Sequence, residues 1–309
     1  MAYITVRTTP HFYELTPVRP GAETLVFIHG WLLSHRYWAP VTAQLQSDYR
    51  CLTYDLRGFG QSFQTSASPG PLPVPPGEET PYSLAAYARD LRTLLQSLNL
   101  SSVWLVGHSL GGSIALWAAH LWPELVQGVI CVNAGGGIYL PEEFERFRTA
   151  GQQIVRWRPA WLARLPGVAV GLARLMVAQP LAHSWGQQRL QDLLAAHPDA
   201  ALGALLASTT EAEVHQLPQL VAGLRQPVHF IAGAQDQVME ERFVRHLASF
   251  HPSFRCPVSN VSVLDNCGHM AMVEQPQALT ATVRQCLDRS QTYPPRGDRT
   301  VPFPLSSHP

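Results

Sequence analysis

Val103-Trp-Leu-Val-Gly-His-Ser-Leu-Gly-Gly112 decides how the rest of the chain is read. Val103 to Val106 is an apolar run of the length of a short buried strand, and from Leu110 to about Leu121 the pattern turns helical. Between them, Gly107-His108-Ser109-Leu110-Gly111 fits G-x-S-x-G. That pattern describes a strained strand-to-helix elbow that lifts a serine above the sheet. A side chain at Gly107 or Gly111 would strike the neighbouring strand or helix, and Gly112 lets the helix lie close to the sheet. Five residues recur by chance. The weight of the reading therefore rests on its context: a strand before, a helix behind, and an acid and a histidine further along.

Upstream of the elbow, Ile4–Arg7 and Phe12–Thr16 read as short antiparallel lead-in strands. Thr24–Ile28 is nearly continuous in apolar residues, as a strand covered on both faces must be, and it ends in His29-Gly30-Trp31. Cys51–Tyr54 is the next strand. Ser66 to Pro81 is Pro-rich and reads as a surface loop. Ser83 then caps a helix over Leu84–Leu98, whose leucines recur at helical spacing. Downstream, Val126–Val132 is a strand ending at Asn133, and about 80 residues of helical pattern follow. Strands resume at Pro227–Ala232, which leads to Asp236, and at Val261–Leu264, which leads to His269. Helices are expected near Glu240–Ser249 and over Pro276–Asp288.

Strand and helix patterns alternate, so the fold class is α/β, a mostly parallel, doubly wound sheet. Ligands of such sheets bind beyond the carboxyl ends of the strands. The turn at Trp31, Ser109, Asp236 and His269 each follow a strand end and so fall on that one edge.

The composition is consistent with an enzyme-sized globule. Of 309 residues, 46% are hydrophobic and 14% charged, which argues against a disordered or nucleic-acid-coating chain. Lys+Arg and Asp+Glu both number 22, so no global charge favours a polyanionic partner. No secretory signal and no apolar run long enough for a membrane span are visible. Five scattered cysteines without C-x-x-C pairs fit a reducing cytoplasm, with a Cys256–Cys267 pair conceivable only where geometry allows.

A serine hydroxyl is a weak nucleophile until a neighbouring base takes its proton. Histidine is the usual base, and a buried carboxylate fixes its tautomer and stabilises the imidazolium. The chain order Ser109, Asp236, His269 is the nucleophile–acid–base order of the elbow class. The developing oxyanion needs two donors, for which the backbone N–H groups of Trp31 and Leu110 are the candidates. Asp265 is a competing acid, but it reads as the end of its own strand. His29 and Arg57 read as structural, as do Glu124 and Glu274. His120, His183, His197, His215, His246 and His251 lack metal-ligand spacing and are expected on solvated faces. No metal and no cofactor are expected.

Five motifs in order now carry a resemblance: His29-Gly30, Asp55-x-Arg57-Gly58-x-Gly60-x-Ser62, Gly107-x-Ser109-x-Gly111-Gly112, Gly233-x-x-Asp236, and Gly268-His269 followed by Glu274-x-Pro276. Over Thr24 to Asp288 the chain resembles the α/β-hydrolase superfamily. The resemblance implies a hydrolase core over residues 1–135 and 217–289 and a helical cap over 136–216, and the Pro-rich residues 290–309 read as a flexible tail. It also implies a serine hydrolase, for which a carboxylic ester passing through an acyl-enzyme is the least constrained substrate. Single positions weigh the alternatives. Ser109 excludes the members with an aspartate nucleophile. The menaquinone-pathway lyase of this fold carries arginine four residues after its serine, where this chain has Ser113, although cap arginines are possible substitutes. Carbon–carbon bond hydrolases place tryptophan after the catalytic histidine, where this chain has Met270. A non-catalytic receptor or scaffold of the same fold is the remaining class.

Within the cap, Glu142–Arg158 is amphipathic and Trp161–Val177 is much more apolar. The partner expected from this is an apolar small-molecule ester, with a pigment or isoprenoid ester among the alternatives. Trp31, Leu172, Met176 and Met270 are the expected substrate contacts. A peripheral contact between the cap and a membrane surface is a further expectation, and nothing in the sequence sets an oligomeric state.

Overall fold

The computed structural model describes residues 2–18, 20–62, 80–136, 141–165, 167–255 and 259–292. Eight strands, β1 (Ala2–Val6), β2 (Thr9–Leu15), β3 (Thr24–Ile28), β4 (Arg50–Tyr54), β5 (Val103–His108), β6 (Val126–Val132), β7 (Val228–Gly233) and β8 (Val261–Leu264), form one sheet in the order β1-β2-β4-β3-β5-β6-β7-β8. The hairpin β1–β2 and the β2–β4 pair are antiparallel, and every other pair is parallel. This is the doubly wound α/β sheet expected from the sequence, with its antiparallel lead-in.

The central strands β3 and β5 are nearly continuous in apolar residues because both faces are covered. Successive residues point to opposite faces. Val26 and Ile28 of β3 and Val103 and Leu105 of β5 join one core cluster, while Leu25, Phe27, Trp104 and Val106 join the other. Helices α2 (Leu84–Ser97) and α3 (Leu110–Leu121) cover the first face. Helices α1 (Ala39–Leu45) and α11 (Pro276–Thr292) cover the second, where Trp38, Val41, Leu279 and Val283 meet Phe27. Truncating a side chain as fully enclosed as Phe27 costs about 3–5 kcal/mol. Ser83 caps α2 as expected, its hydroxyl accepting the Ala86 N–H at 3.1 Å.

Between β6 and β7 the described residues are all helical or irregular. They include α4 (Pro141–Arg156), α5 (Val168–Leu172), α6 (His183–Ala195), α7 (Pro198–Ser208) and α8 (Glu211–Gly223). The expected boundary at 216/217 falls inside α8, which packs on α3 of the core. Helix α9 (Glu241–Ala248) follows β7, and α10 (Ala271–Glu274) follows β8. Helix α11 runs to Thr292, past the start of the expected tail. The tail beyond it, the Pro-rich loop up to residue 79 and Cys256 lie outside the described residues. Cys51, Cys131, Cys267 and Cys286 are free and buried. No described helix is long and apolar enough to cross a membrane.

The insertion sits on the carboxyl edge of the sheet and touches three of its loops. The Trp31 indole N–H donates to the Ala201 carbonyl of α7 at 2.8 Å. The Gly58 carbonyl accepts the His197 N–H at 2.8 Å. At the β8 end, the Met176 carbonyl accepts the His269 N–H at 2.9 Å.

Candidate active site

Ser109 directly follows β5 and precedes α3, with φ 51° and ψ −117°. A non-glycine residue in that region stores roughly 1–3 kcal/mol, which the surrounding packing must hold in place. The glycines on either side show why the packing is so close. A Cβ on Gly107 would lie 2.3 Å from the Gly111 carbonyl oxygen, and one on Gly111 would lie 2.3 Å from that of Ile28. The same approach sets the first turn of α3 against the His29-Gly30-Trp31 turn. Leu110 opens that helix, so its N–H has no carbonyl within the helix to bond. The backbone N–H groups of Leu110 and Trp31 therefore come from adjoining turns at one edge.

His29 supports this turn from beneath. Its Nδ1 donates to the Gly30 carbonyl at 2.8 Å and its Nε2 accepts the Leu56 N–H at 2.9 Å. Burial lowers its pKa, so the neutral ring holds both bonds. Arg57 is structural as well, paired with buried Asp90 at 3.0 Å and donating to the Pro81 carbonyl.

Asp236 and His269, 33 residues apart, meet where the loops after β7 and β8 converge. The His269 Nδ1 donates to Asp236 Oδ2 at 2.8 Å. Asp236 Oδ1 accepts the Val238 and Met239 amides at 2.8 and 2.9 Å. Asn133, the residue after β6, donates its side-chain amide to Asp236 Oδ2 at 2.9 Å and to the Gly268 carbonyl at 3.1 Å. Burial alone would raise the Asp236 pKa. The His269 ring and the two amides outweigh it and hold the carboxyl below its ordinary value. Asp265 is exposed and takes no part in this network.

His108 joins the pieces. Its ring lies 4.9 Å, centroid to centroid, from that of His269, and its Nε2 donates to the His269 carbonyl at 2.7 Å. A Cβ on Gly30 would come within 2.6 Å of its Nδ1. Burial pushes its pKa down to about 3, so it stays neutral. Ser109 is the next residue along the chain, so the elbow and the His269 loop are joined through His108. Glu274 braces the His269 loop, accepting the Met270 N–H at 2.8 Å, the Gly268 N–H at 2.9 Å and the Ala178 N–H at 2.7 Å. It is structural, as its sequence context indicates.

The expected substrate contacts fare differently. Trp31 is half-buried between the core turn and the insertion. Half-buried Met176, at φ 57°, lies on the His269 loop. Leu172, half-buried, ends α5, and its carbonyl accepts from Arg189 at 2.6 Å. Met270 is a correction: at 1% exposure it packs into the core cluster that contains Trp38, Val41 and Leu279, because its backbone turns into α10. His251, expected on a solvated face, is another correction. It is buried, with its Nε2 on the Gln226 carbonyl at 3.0 Å. Sequence reasoning missed Asn133. Its one visible signal is a small polar residue at a strand end, which the structure places at φ 48°. Among the described residues, no three His, Cys, Asp or Glu side chains are grouped to hold a metal ion.

A carboxylate-held imidazole and a strained serine at the same edge of the sheet, with two amides at the adjoining turns, are the groups that nucleophilic attack on a carbonyl requires. Comparison with known proteins bears on the family. The chain is 32% identical over 276 residues to 2-succinyl-6-hydroxy-2,4-cyclohexadiene-1-carboxylate synthase of Enterobacter sp. (strain 638), covering 87% of this chain and 93% of that protein. It is 28% identical over 297 residues to the uncharacterised protein Rv2715 of Mycobacterium tuberculosis, covering 92% of this chain and 81% of that protein. Among solved structures, a thermophilic esterase from Thermogutta terrifontis superimposes with a TM-score of 0.72 at 22% identity, over 93% of this chain and 98% of that one. At that identity the likeness concerns the fold. The sequence profile of the alpha/beta hydrolase fold matches residues 23–276, and the chain belongs to that family.

Proposed function

We propose that the protein is a serine hydrolase that cleaves a carboxylic ester carrying an apolar acyl or alcohol group. In the first step His269 Nε2 takes the Ser109 hydroxyl proton as Oγ bonds to the ester carbonyl carbon. The Trp31 and Leu110 amides hold the resulting oxyanion. Collapse breaks the carbon–oxygen bond, and His269 returns its proton to the departing alcohol. Water then attacks the acyl-enzyme by the same route, releasing the acid and restoring Ser109. Asp236 stays ionised and stabilises the imidazolium in both halves. The observation that carries this reading is the 2.8 Å bond from His269 Nδ1 to an Asp236 carboxylate saturated by three further donors. The helical insertion acts as a cap over the site, and a cytoplasmic setting suits the four free buried cysteines.

The synthase relative favours a second reading, a lyase using the same residues. Such a substrate carries carboxylates, which call for free cations in the site. The insertion's arginines give that reading little support. Arg148, Arg158 and Arg189 donate to the carbonyls of Thr209, Leu193 and Leu172, and Arg146, Arg156, Arg164 and Arg174 are exposed. Ester hydrolysis is therefore preferred.

The test is a series of p-nitrophenyl esters from acetate to palmitate, with Ser109→Ala as control. Each buried methylene contributes about 0.8 kcal/mol, so kcat/KM should climb over several carbons before it levels. Ser109→Ala should abolish turnover, which separates an enzyme from a receptor or scaffold. A flat profile, together with formation of the synthase product from its precursor, would favour the lyase instead.

A further inference from the structure

Apart from the candidate active site, the surface is most uneven on the exposed side of the insertion. Among the described residues, nine large hydrophobic side chains are exposed, and six of them fall within residues 154–175: Ile154, Trp157, Trp161, Leu165, Val170 and Leu175. Trp157 is 82% exposed and Trp161 57%. A folded chain has a core in which to bury such side chains, so this concentration on one short stretch is informative.

The charge of the same stretch is equally uneven. The whole chain balances 22 cations against 22 anions, yet Arg146, Arg148, Arg156, Arg158, Arg164 and Arg174 fall between residues 146 and 182 with no Asp or Glu among them. Arg146, Arg156, Arg164 and Arg174 are exposed there. The chain contains no lysine, so every one of its cationic side chains is a planar guanidinium able to bind two phosphate oxygens at once.

From this combination we infer that the outer face of the insertion, centred on Trp157, Trp161 and the arginines around them, docks on an anionic phospholipid surface. The occupant follows from the chemistry. An acidic protein or a nucleic acid would answer the arginines but not the interleaved apolar side chains. A second copy of the chain would bring the same positive charge against itself. A bilayer surface offers phosphates at the depth of the guanidinium groups and acyl chains just below, with the interfacial zone that indole rings favour. The short 3-10 turn at Ala160–Arg164 and the short helix α5 place Trp161, Leu165 and Val170 on successive turns of this stretch. The docking does not depend on the ester-hydrolase reading, because none of these side chains belongs to the serine site.

The experiment is co-sedimentation of the full chain with vesicles of phosphatidylcholine alone and of phosphatidylcholine mixed with phosphatidylglycerol. The expected result is retention on the mixed vesicles, a blue shift of tryptophan emission on binding, and release at high salt. Arg156→Gln and Arg164→Gln should each weaken the partition about fivefold, and Trp157→Ser about tenfold. All three should keep wild-type turnover of a water-soluble short-chain ester, which shows that they fold. Ser109→Ala should bind vesicles as the wild type does, so loss of hydrolysis and loss of docking are read separately. Equal or absent retention on both vesicles would overturn the inference. So would folded Trp157→Ser and Arg164→Gln variants that bind unchanged, or a concentration-dependent dimer with no vesicle binding.

Discussion

Asp236 shows how much of the site is built by groups that never touch a substrate. Its two oxygens accept four hydrogen bonds, two from backbone amides, one from Asn133 and one from His269. Asp236→Asn keeps the shape but no longer favours the Nδ1–H tautomer of His269. Turnover should fall by roughly 10⁴-fold with little change in stability, the magnitude seen for this change in a serine protease. Asp265→Asn, at an exposed position, should change turnover little. Steady-state kinetics of the two variants check the choice of acid, and a reversed order would contradict it. Asn133→Ala removes one hydrogen bond to a charged carboxylate, worth about 1.5–3 kcal/mol, and should lower kcat roughly 10- to 100-fold with KM nearly unchanged. An unchanged kcat would reduce Asn133 to a strand-end filler.

At the scale of elements, helix α6 is tied to the turn beside the site through a buried carboxylate. Ser34 donates to Asp192 Oδ2 at 3.1 Å, and Gln188 reaches both Asp192 oxygens at 3.1 Å. Burial pushes the Asp192 pKa from 3.8 up to about 6, against the pull of those two donors. An acid whose folded pKa exceeds its unfolded one binds its proton more tightly in the native state. Its contribution to stability is complete below about pH 4 and is lost as pH rises through about 6. Asp192→Asn carries no proton to lose. Its unfolding free energy relative to the wild type should therefore rise by an amount on the order of 2–3 kcal/mol between pH 4 and 6, then stay level. Urea titrations across that range check this. Parallel curves would mean that Asp192 ionises as freely as an exposed acid.

The same scale shows where the sequence is legible. Strands β3, β6 and β8 and helix α3 have the bounds that their predominantly apolar runs predict, because each run is bracketed by turn residues. The insertion is less legible. Pro218 lies inside α8, where it costs a hydrogen bond, and the helix runs straight through the expected boundary at 216/217. Burial of Val214, Leu217, Leu220 and Val221 offsets that cost and carries the helix through it. Met270 shows the converse error. Its place next to His269 suggests a substrate contact, yet the tight turn into α10 sends its side chain into the core.

In the molecule as a whole, the parallel sheet brings residues 31, 109, 133, 236 and 269 to one edge, each from the end of a different strand. The order of motifs along the chain makes that convergence legible before any coordinates, since every parallel strand ends at the same edge. Asn133 and His108 are not legible in this way, because their roles depend on where loops distant in sequence meet. The account stands on Ser109 being the nucleophile that His269 activates, and covalent trapping tests that most directly. The protein would be treated with a fluorophosphonate, its intact mass recorded and the labelled peptide sequenced. One adduct on Ser109 is predicted, absent in Ser109→Ala and formed several orders of magnitude more slowly in His269→Ala. Equal labelling of the wild type and Ser109→Ala, or an adduct on any other residue, would contradict the account.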